Sequence, residues 1–163
     1  QSERADTNVL LGDFGFAKWL RKSEVCRTYC GSPVYMAPEV VGSKGASSPE
    51  EAATMKKRKY DVKCDIWSAG IITAVLLTGF YPFAGRHSVE TLKIVLRSKA
   101  RFDGPEWDCV SPGAIALVRS MLTKDPSARP SALGLLKKSR WLESMAGARI
   151  NRRLAELENE KKT

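Results

Sequence analysis

The sequence predicts a mainly α-helical domain with little sheet, and three observations support this. Its 163 residues, 43% hydrophobic and 28% charged, suit one globular domain. Residues 66–85 carry no charge, and Gly79 and Pro82 should end any helix that begins near Asp65. Helix-start signals recur further along, at Ser88, at Ser111-Pro112 and at Ser131.

The first third of the chain predicts one short strand and mostly loop. Residues 9–11 are apolar and end at Gly12, which predicts a brief strand before a turn. Residues 18–35 lack a helical period, and a long irregular segment in a compact domain is often functional. A short helix is expected near Ala37-Pro38. Residues 42–59 predict an exposed insertion rich in small, polar and basic types.

The remaining two thirds predict a series of helices. Asp65 is expected to cap a buried helix that reaches about Leu77. An amphipathic helix capped by Ser88 should follow, then one from Ser111-Pro112 to Leu122 and one from Ser131 to about Trp141. From residue 143 the chain is charged, with apolar residues at helical spacing, which predicts a surface helix. These apolar residues are Ile150, Leu154 and Leu157.

Composition disfavours several functional classes. The net charge of +9 permits nucleic-acid or anionic-membrane binding, but the basic residues are mostly dispersed and do not alternate with aromatics, which favours a solvated basic surface. The buried helix spans roughly 20 Å, too short for a bilayer core of about 30 Å. Four cysteines without a secretory leader indicate free thiols and an intracellular, cytoplasmic location. Cys26, Cys30 and the single His87 do not form a zinc pattern.

The chemistry-bearing pattern begins at Asp13-Phe14-Gly15, after the predicted strand. Phosphoryl transfer needs a carboxylate that holds magnesium against the nucleotide phosphates. Three such residues alone prove little, but residues 31–39 follow at a suitable distance with the sequence GSPVYMAPE.

With these two motifs the sequence resembles the eukaryotic protein kinases. The resemblance continues through residues 60–70 (YDVKCDIWSAG), 79–83 (GFYPF) and 121–130 (MLTKDPSARP). It implies the large C-terminal lobe of the two-lobe α+β kinase fold, with a short β-strand pair around the Asp-Phe-Gly loop. Residues 1–142 would belong to the kinase domain and residues 143–163 would form a charged helical tail.

The resemblance implies ATP and Mg²⁺ as cofactors. Asp13 would ligate Mg²⁺ and, with Phe14 and Gly15, bind the nucleotide, while Phe14 would pack into the core. Glu39 would form a buried ion pair with Arg129 whose role is stability, not chemistry.

Other positions gain supporting or regulatory roles by the same resemblance. Asp65 would brace the catalytic loop and Trp67 would lie in the core. Thr28 would be an activating phosphorylation site, with Ser23 and Tyr29 as weaker candidates.

The substrate side is implied by residues 32–35. Ser32 would lie near the catalytic Asp and favours Ser or Thr as acceptor. Pro33, Val34 and Tyr35 would form an apolar wall beneath the residue that follows the acceptor. Residues 102–129 are most similar to the calcium/calmodulin-dependent and calcium-dependent kinase group, in which the tail could bind a regulatory partner; a merely solvated helix is the alternative.

The chain departs from the family pattern at its beginning. It contains no glycine-rich loop, no strand lysine and no His-Arg-Asp motif, so no catalytic residue is present and the catalytic Asp is expected upstream of Gln1. The interpretation is therefore part of a serine/threonine kinase that is inactive without its N-terminal lobe. A pseudokinase or scaffold that binds partners is the alternative, as is a truncated regulatory isoform. Substrate, activator and calcium dependence stay open.

Overall fold

The computed structural model describes residues 10–21, 24–26, 31–42 and 60–160. In these ranges the chain forms six α-helices and three single-turn 3₁₀ helices, so the predicted mainly helical fold is confirmed. The 3₁₀ helices are Phe14–Phe16, Pro33–Tyr35 and Pro105–Trp107. The α-helices are α1 (Pro38–Val41), α2 (Lys63–Thr78), α3 (Ser88–Arg97), α4 (Pro112–Met121), α5 (Ala132–Lys138) and α6 (Arg140–Glu160).

The central helix is α2, and its ends are set by local chemistry. A carboxylate oxygen of Asp61 accepts the backbone N–H of Lys63 at 2.8 Å, just where the helix begins. Gly79 ends it in the left-handed conformation at φ 80°, and its N–H donates to the carbonyl of Val75. Asp65 lies inside the first turn and is exposed, so the prediction that it caps α2 is wrong. A carboxylate at this position still interacts favourably with the helix dipole.

Burial of α2 is one-sided. Trp67, Gly70, Ile71 and Ala74 are buried, whereas Leu76 on the opposite side is 80% exposed. The uncharged sequence predicted a helix buried all round, and that prediction is wrong within the part of the chain that the structure describes. Residues 66–78 carry no charge, so no charged side chain marks which face of the helix is covered.

Later helices begin close to their predicted positions. Ser111 and Ser131 cap α4 and α5 as predicted, each accepting a backbone N–H with its hydroxyl. The cap of α3 is His87 and not Ser88, because His87 is the last residue with extended backbone and its Nδ1 accepts the N–H of Glu90. Helix α5 ends at Lys138, and Trp141 already belongs to α6, which is kinked at Ala146.

The core lies between α1, α2, α3, α4 and the turn after α2. Trp67 and Phe83 stack with ring centroids 5.2 Å apart, and both are fully buried. Helices α2 and α4 approach closely at Gly70, where a Cβ would lie only 2.8 Å from Cβ of Met121. A residue without a side chain is therefore required at this crossing.

The predicted strand is not present in the residues described. Leu10 and Leu11 are 87% and 86% exposed and belong to no strand. The one β-bridge among the described residues joins Cys26 to Tyr60. The insertion predicted at 42–59 lies outside the described residues beyond Gly42, which ends α1. As for membrane crossing, no helix within the described ranges combines the required length with sufficient apolar character.

Candidate functional site

The Asp13-Phe14-Gly15 motif forms a tight turn on the protein surface. Asp13 has φ 57° and ψ 73°, the left-handed conformation that is uncommon for residues other than glycine. One of its carboxylate oxygens accepts the N–H of Gly15 at 3.4 Å, and the N–H of Ala17 donates to the carbonyl of Phe14 at 3.0 Å. The exposed carboxylate is accessible to a ligand.

Phe14 does not pack into the core, contrary to the prediction. Its side chain is 69% exposed, and the nearby Phe16 and Trp19 are 79% and 96% exposed. Among the described residues, the hydrogen bonds of residues 13–17 are made within that segment and all five residues are exposed, so this turn projects from the helical body instead of entering it.

Four predicted site residues line one cavity of about 430 Å³ between this segment, residues 31–40 and the start of α2. These are Asp13, Ser32, Tyr35 and Asp65. The structure therefore brings the predicted magnesium ligand and the residue predicted near the acceptor to the same opening, although they belong to separate motifs in the sequence.

The thiol of Cys64 also lines this cavity but is poorly suited to nucleophilic chemistry. Burial and, after it, the negative charge of the neighbouring Asp65 raise the pKa of Cys64 to about 12. Because the thiolate is the reactive form, the thiol stays inert at neutral pH.

The predicted pairing of Glu39 with Arg129 is present and is bidentate. Nη1 of Arg129 lies 2.7 Å from Oε1 of Glu39, and Nη2 lies 3.0 Å from Oε2. The Arg129 side chain is fully buried and also donates to the carbonyls of Lys63 at 2.7 Å, Thr123 at 2.9 Å and Lys124 at 3.3 Å. The pair thereby joins α1 to the start of α2 and to the loop after α4.

Two neighbours complete this anchor. The guanidinium carbon of Arg129 lies 5.3 Å from the ring centroid of Trp67, which is in cation–π range. Lys63 donates from Nζ to the carbonyl of Pro126 at 3.1 Å and to the carbonyl of Arg129. Sequence reasoning missed Lys63, because no local pattern places it beside a loop more than 60 residues away.

The predicted substrate wall forms a defined surface turn. Ser32 is exposed, and Pro33, Val34 and Tyr35 are half-buried in the 3₁₀ turn that follows it. The hydroxyl oxygens of Tyr35 and Tyr81 lie 3.0 Å apart and share a hydrogen bond, which raises the pKa of Tyr35. Tyr81 was missed as a site residue, although the 79–83 motif contains it.

This turn is also held by a hydrogen bond from α2 and by its buried neighbours in sequence. Ser68, on α2, donates from its hydroxyl to the carbonyl of Tyr35 at 2.9 Å. Met36 and Ala37 are buried immediately after the turn. The wall is therefore held in place by α2 and by the buried residues at the start of α1.

Two predictions are not tested by these geometries. Thr28, Ser23 and Tyr29 lie outside the described residues. Within the described ranges, no group of three or more His, Cys, Asp or Glu side chains is arranged to hold a metal. A single carboxylate such as Asp13 still suits Mg²⁺, which proteins often hold through one or two carboxylates together with substrate phosphates.

Comparison of the sequence with known proteins assigns the chain to a family. The family model described as the protein kinase domain matches residues 3–142. Over 153 residues the chain is 32% identical to the ovarian-specific serine/threonine-protein kinase Lok of Drosophila melanogaster, covering 94% of this chain and 30% of that protein. Over 127 residues it is 41% identical to the meiosis-specific serine/threonine-protein kinase MEK1 of Saccharomyces cerevisiae, covering 73% of this chain and 25% of that protein. The chain thus spans less than a third of these relatives, and it belongs to the protein kinase family, in its serine/threonine branch.

Proposed function

We propose that the protein containing this chain transfers the γ-phosphate of ATP to Ser or Thr residues of protein substrates. The observation that carries this proposal is the shared cavity lined by Asp13, Ser32 and Asp65, within a chain that matches the protein kinase domain. Residues 1–142 are proposed to be the C-terminal part of that domain, and residues 143–163 its charged tail.

Asp13 is the residue proposed to hold Mg²⁺ and, with Phe14 and Gly15, to bind the nucleotide. Its exposed carboxylate, in a turn closed onto Gly15, supports this role. When bound, the metal neutralises the charge on the phosphates. Asp13 itself would orient that charge relative to the wall formed by residues 32–35.

The chain's own residues are proposed to present the acceptor. Ser32 is exposed at the cavity rim, where its hydroxyl is accessible to a substrate backbone or hydroxyl group. Pro33, Val34 and Tyr35 offer an apolar wall, and Ser68 and Tyr81 hold Tyr35 in place through hydrogen bonds. A hydrophobic residue after the acceptor is the expected preference.

An assay of the full protein with radiolabelled ATP and Mg²⁺ tests the assignment. Matched peptides with Ser, Thr or Tyr as the acceptor should be labelled on Ser or Thr and not on Tyr. Asp13→Asn should lower kcat by roughly a hundredfold or more, since metal-borne charge stabilisation is worth several kcal/mol. Asp103→Asn, which removes an exposed carboxylate outside the cavity, is the control.

The alternative, a scaffold that binds partners without transfer, predicts a different result. In that case the wild-type protein would show no labelling, and Asp13→Asn would leave partner binding intact. Phosphorylation of Thr28 as an activating event is a further proposal, tested by Thr28→Ala under the same assay. We also propose that residues 102–129 place the protein near the calcium/calmodulin-dependent kinases. Adding Ca²⁺/calmodulin to the same assay, and measuring whether labelling increases, tests this.

A further inference from the structure

A concave basic surface shares no lining residue with the cavity of Asp13. It is bounded by the segment after α3 and by the C-terminal end of α4, and it encloses about 620 Å³. Four basic side chains line it, with Asp103 as the acidic one: Lys99, Arg101, Arg119 and Lys124. We call this surface the basic groove.

The floor of the basic groove is apolar and aromatic. Phe102 packs against the buried Trp107 with ring centroids 4.9 Å apart, and Leu122 is buried beside it. The guanidinium carbon of Arg119 lies 5.0 Å from the Phe102 ring centroid. The floor therefore offers an apolar contact next to the positive charge of Arg119.

The positive charge of the basic groove is only partly balanced by the described chain. Asp103 is occupied by Arg101, with an Nε to Oδ1 distance of 3.1 Å. Lys99, Arg119 and Lys124 take part in no ion pair with a described residue. Lys124 donates to the carbonyl of Leu96 at 2.8 Å, which orders its side chain at the C-terminal end of α3.

The local electrostatics agree with this imbalance. Burial lowers the pKa of Lys124, and the positive charge of Lys99 lowers it further. Like charges that converge on one concavity repel each other, and an anion placed between them would relieve that repulsion. The basic groove is thus complementary to a negatively charged ligand.

We propose that the basic groove docks an acidic peptide segment of a partner protein, with an apolar side chain on Phe102 and carboxylates towards Lys99 and Arg119. Arginine pairs well with carboxylates, and complementary charge gives specificity and fast association. A nucleic acid would require cations that follow successive phosphates, whereas these four face one concavity. This docking does not depend on the proposed phosphotransfer.

Fluorescence anisotropy on the full protein tests the proposal. The probe is a short fluorescein-labelled peptide in which glutamates flank one leucine, and its counterpart carries glutamines instead. We expect binding of the glutamate peptide only, weakening as NaCl is raised towards about 0.5 M. The double reversal Lys99→Glu/Arg119→Glu should weaken binding at least tenfold, or about 1.4 kcal/mol.

The matched control reverses two exposed lysines outside the basic groove, Lys93→Glu/Lys138→Glu, and should change affinity less than about twofold. Because Arg119 contacts Phe102, Lys99→Glu alone serves as a second variant that removes no packing contact of this kind.

Four results would overturn the proposal. These are absence of binding by the wild type, equal binding of the glutamine peptide, equal losses in the control variant, and tighter binding of phosphatidylserine vesicles or single-stranded DNA with the same sensitivity to reversal.

Discussion

Removing the charge of Glu39 tests most directly how the segment after Asp13 is anchored. In Glu39→Gln the shape of the side chain is retained, but the buried Arg129 loses its counter-charge. Breaking one partner of a buried pair costs about 3–5 kcal/mol. Arg129 keeps its bonds to three backbone carbonyls in this variant, so we expect the lower end, about 3 kcal/mol.

Removing the arginine instead should cost more. Arg129→Met deprives the carbonyls of Lys63, Thr123 and Lys124 of their donor, and a buried acceptor without a partner costs about 1–3 kcal/mol. We expect the upper end of the range, about 5 kcal/mol. The double variant should cost less than the sum of the singles by about 1 kcal/mol or more, because the two residues act as one unit.

Urea unfolding of the protein, followed by tryptophan fluorescence and linear extrapolation, measures these free energies. The exposed pair of Arg101 and Asp103 provides the control, since Arg101→Met should leave the unfolding midpoint unchanged. A Glu39→Gln variant within about 0.5 kcal/mol of wild type, or strict additivity in the double variant, would refute the anchoring role.

Three further outcomes follow from single contacts. Gly70→Ala should destabilise by about 1–2 kcal/mol, because its Cβ would meet Met121 at 2.8 Å, whereas Gly12→Ala, in open space, should not; equal urea midpoints would contradict this. Ser111→Ala should cost about 1 kcal/mol through loss of the α4 cap, measured by the same unfolding. Cys64 should resist alkylation by iodoacetamide at pH 7.5, and rapid labelling of the native protein seen by peptide mapping would contradict this. Because the thiol ionises more readily in the unfolded chain, the free energy of unfolding should fall as the pH rises from the ordinary thiol pKa of 9.0 towards 12.

Features that depend on a few consecutive residues were predictable. Ser111 and Ser131 cap helices because their hydroxyls bond to N–H groups three residues on. Pro38 begins α1, and Gly79 ends α2 because its positive φ suits glycine. The errors at Ser88 and Asp65 have separate causes. The extended backbone of His87 makes that residue the cap of α3, whereas at the start of α2 the carboxylate that accepts a backbone N–H belongs to Asp61.

Burial and long-range contacts could be predicted less well from the sequence. From residue 66 onwards the sequence of α2 carries no charge, so it could not indicate that Leu76 would be exposed while Trp67 is enclosed. Phe14 is equally apolar, yet it projects from the helical body. An apolar side chain is covered only if other parts of the chain reach it.

By itself the sequence determined the helical class, most helix ends and, through its ordered motifs, the kinase family. The pairing of Glu39 with Arg129 came from family resemblance, because residues 90 positions apart share no local signal. Only the tertiary structure placed Asp13 and Ser32 at one cavity, Lys63 under the anchor and four cations around Phe102. Local hydrogen bonds act over a few residues and leave a mark in the sequence, whereas contacts between distant side chains depend on how the helices pack.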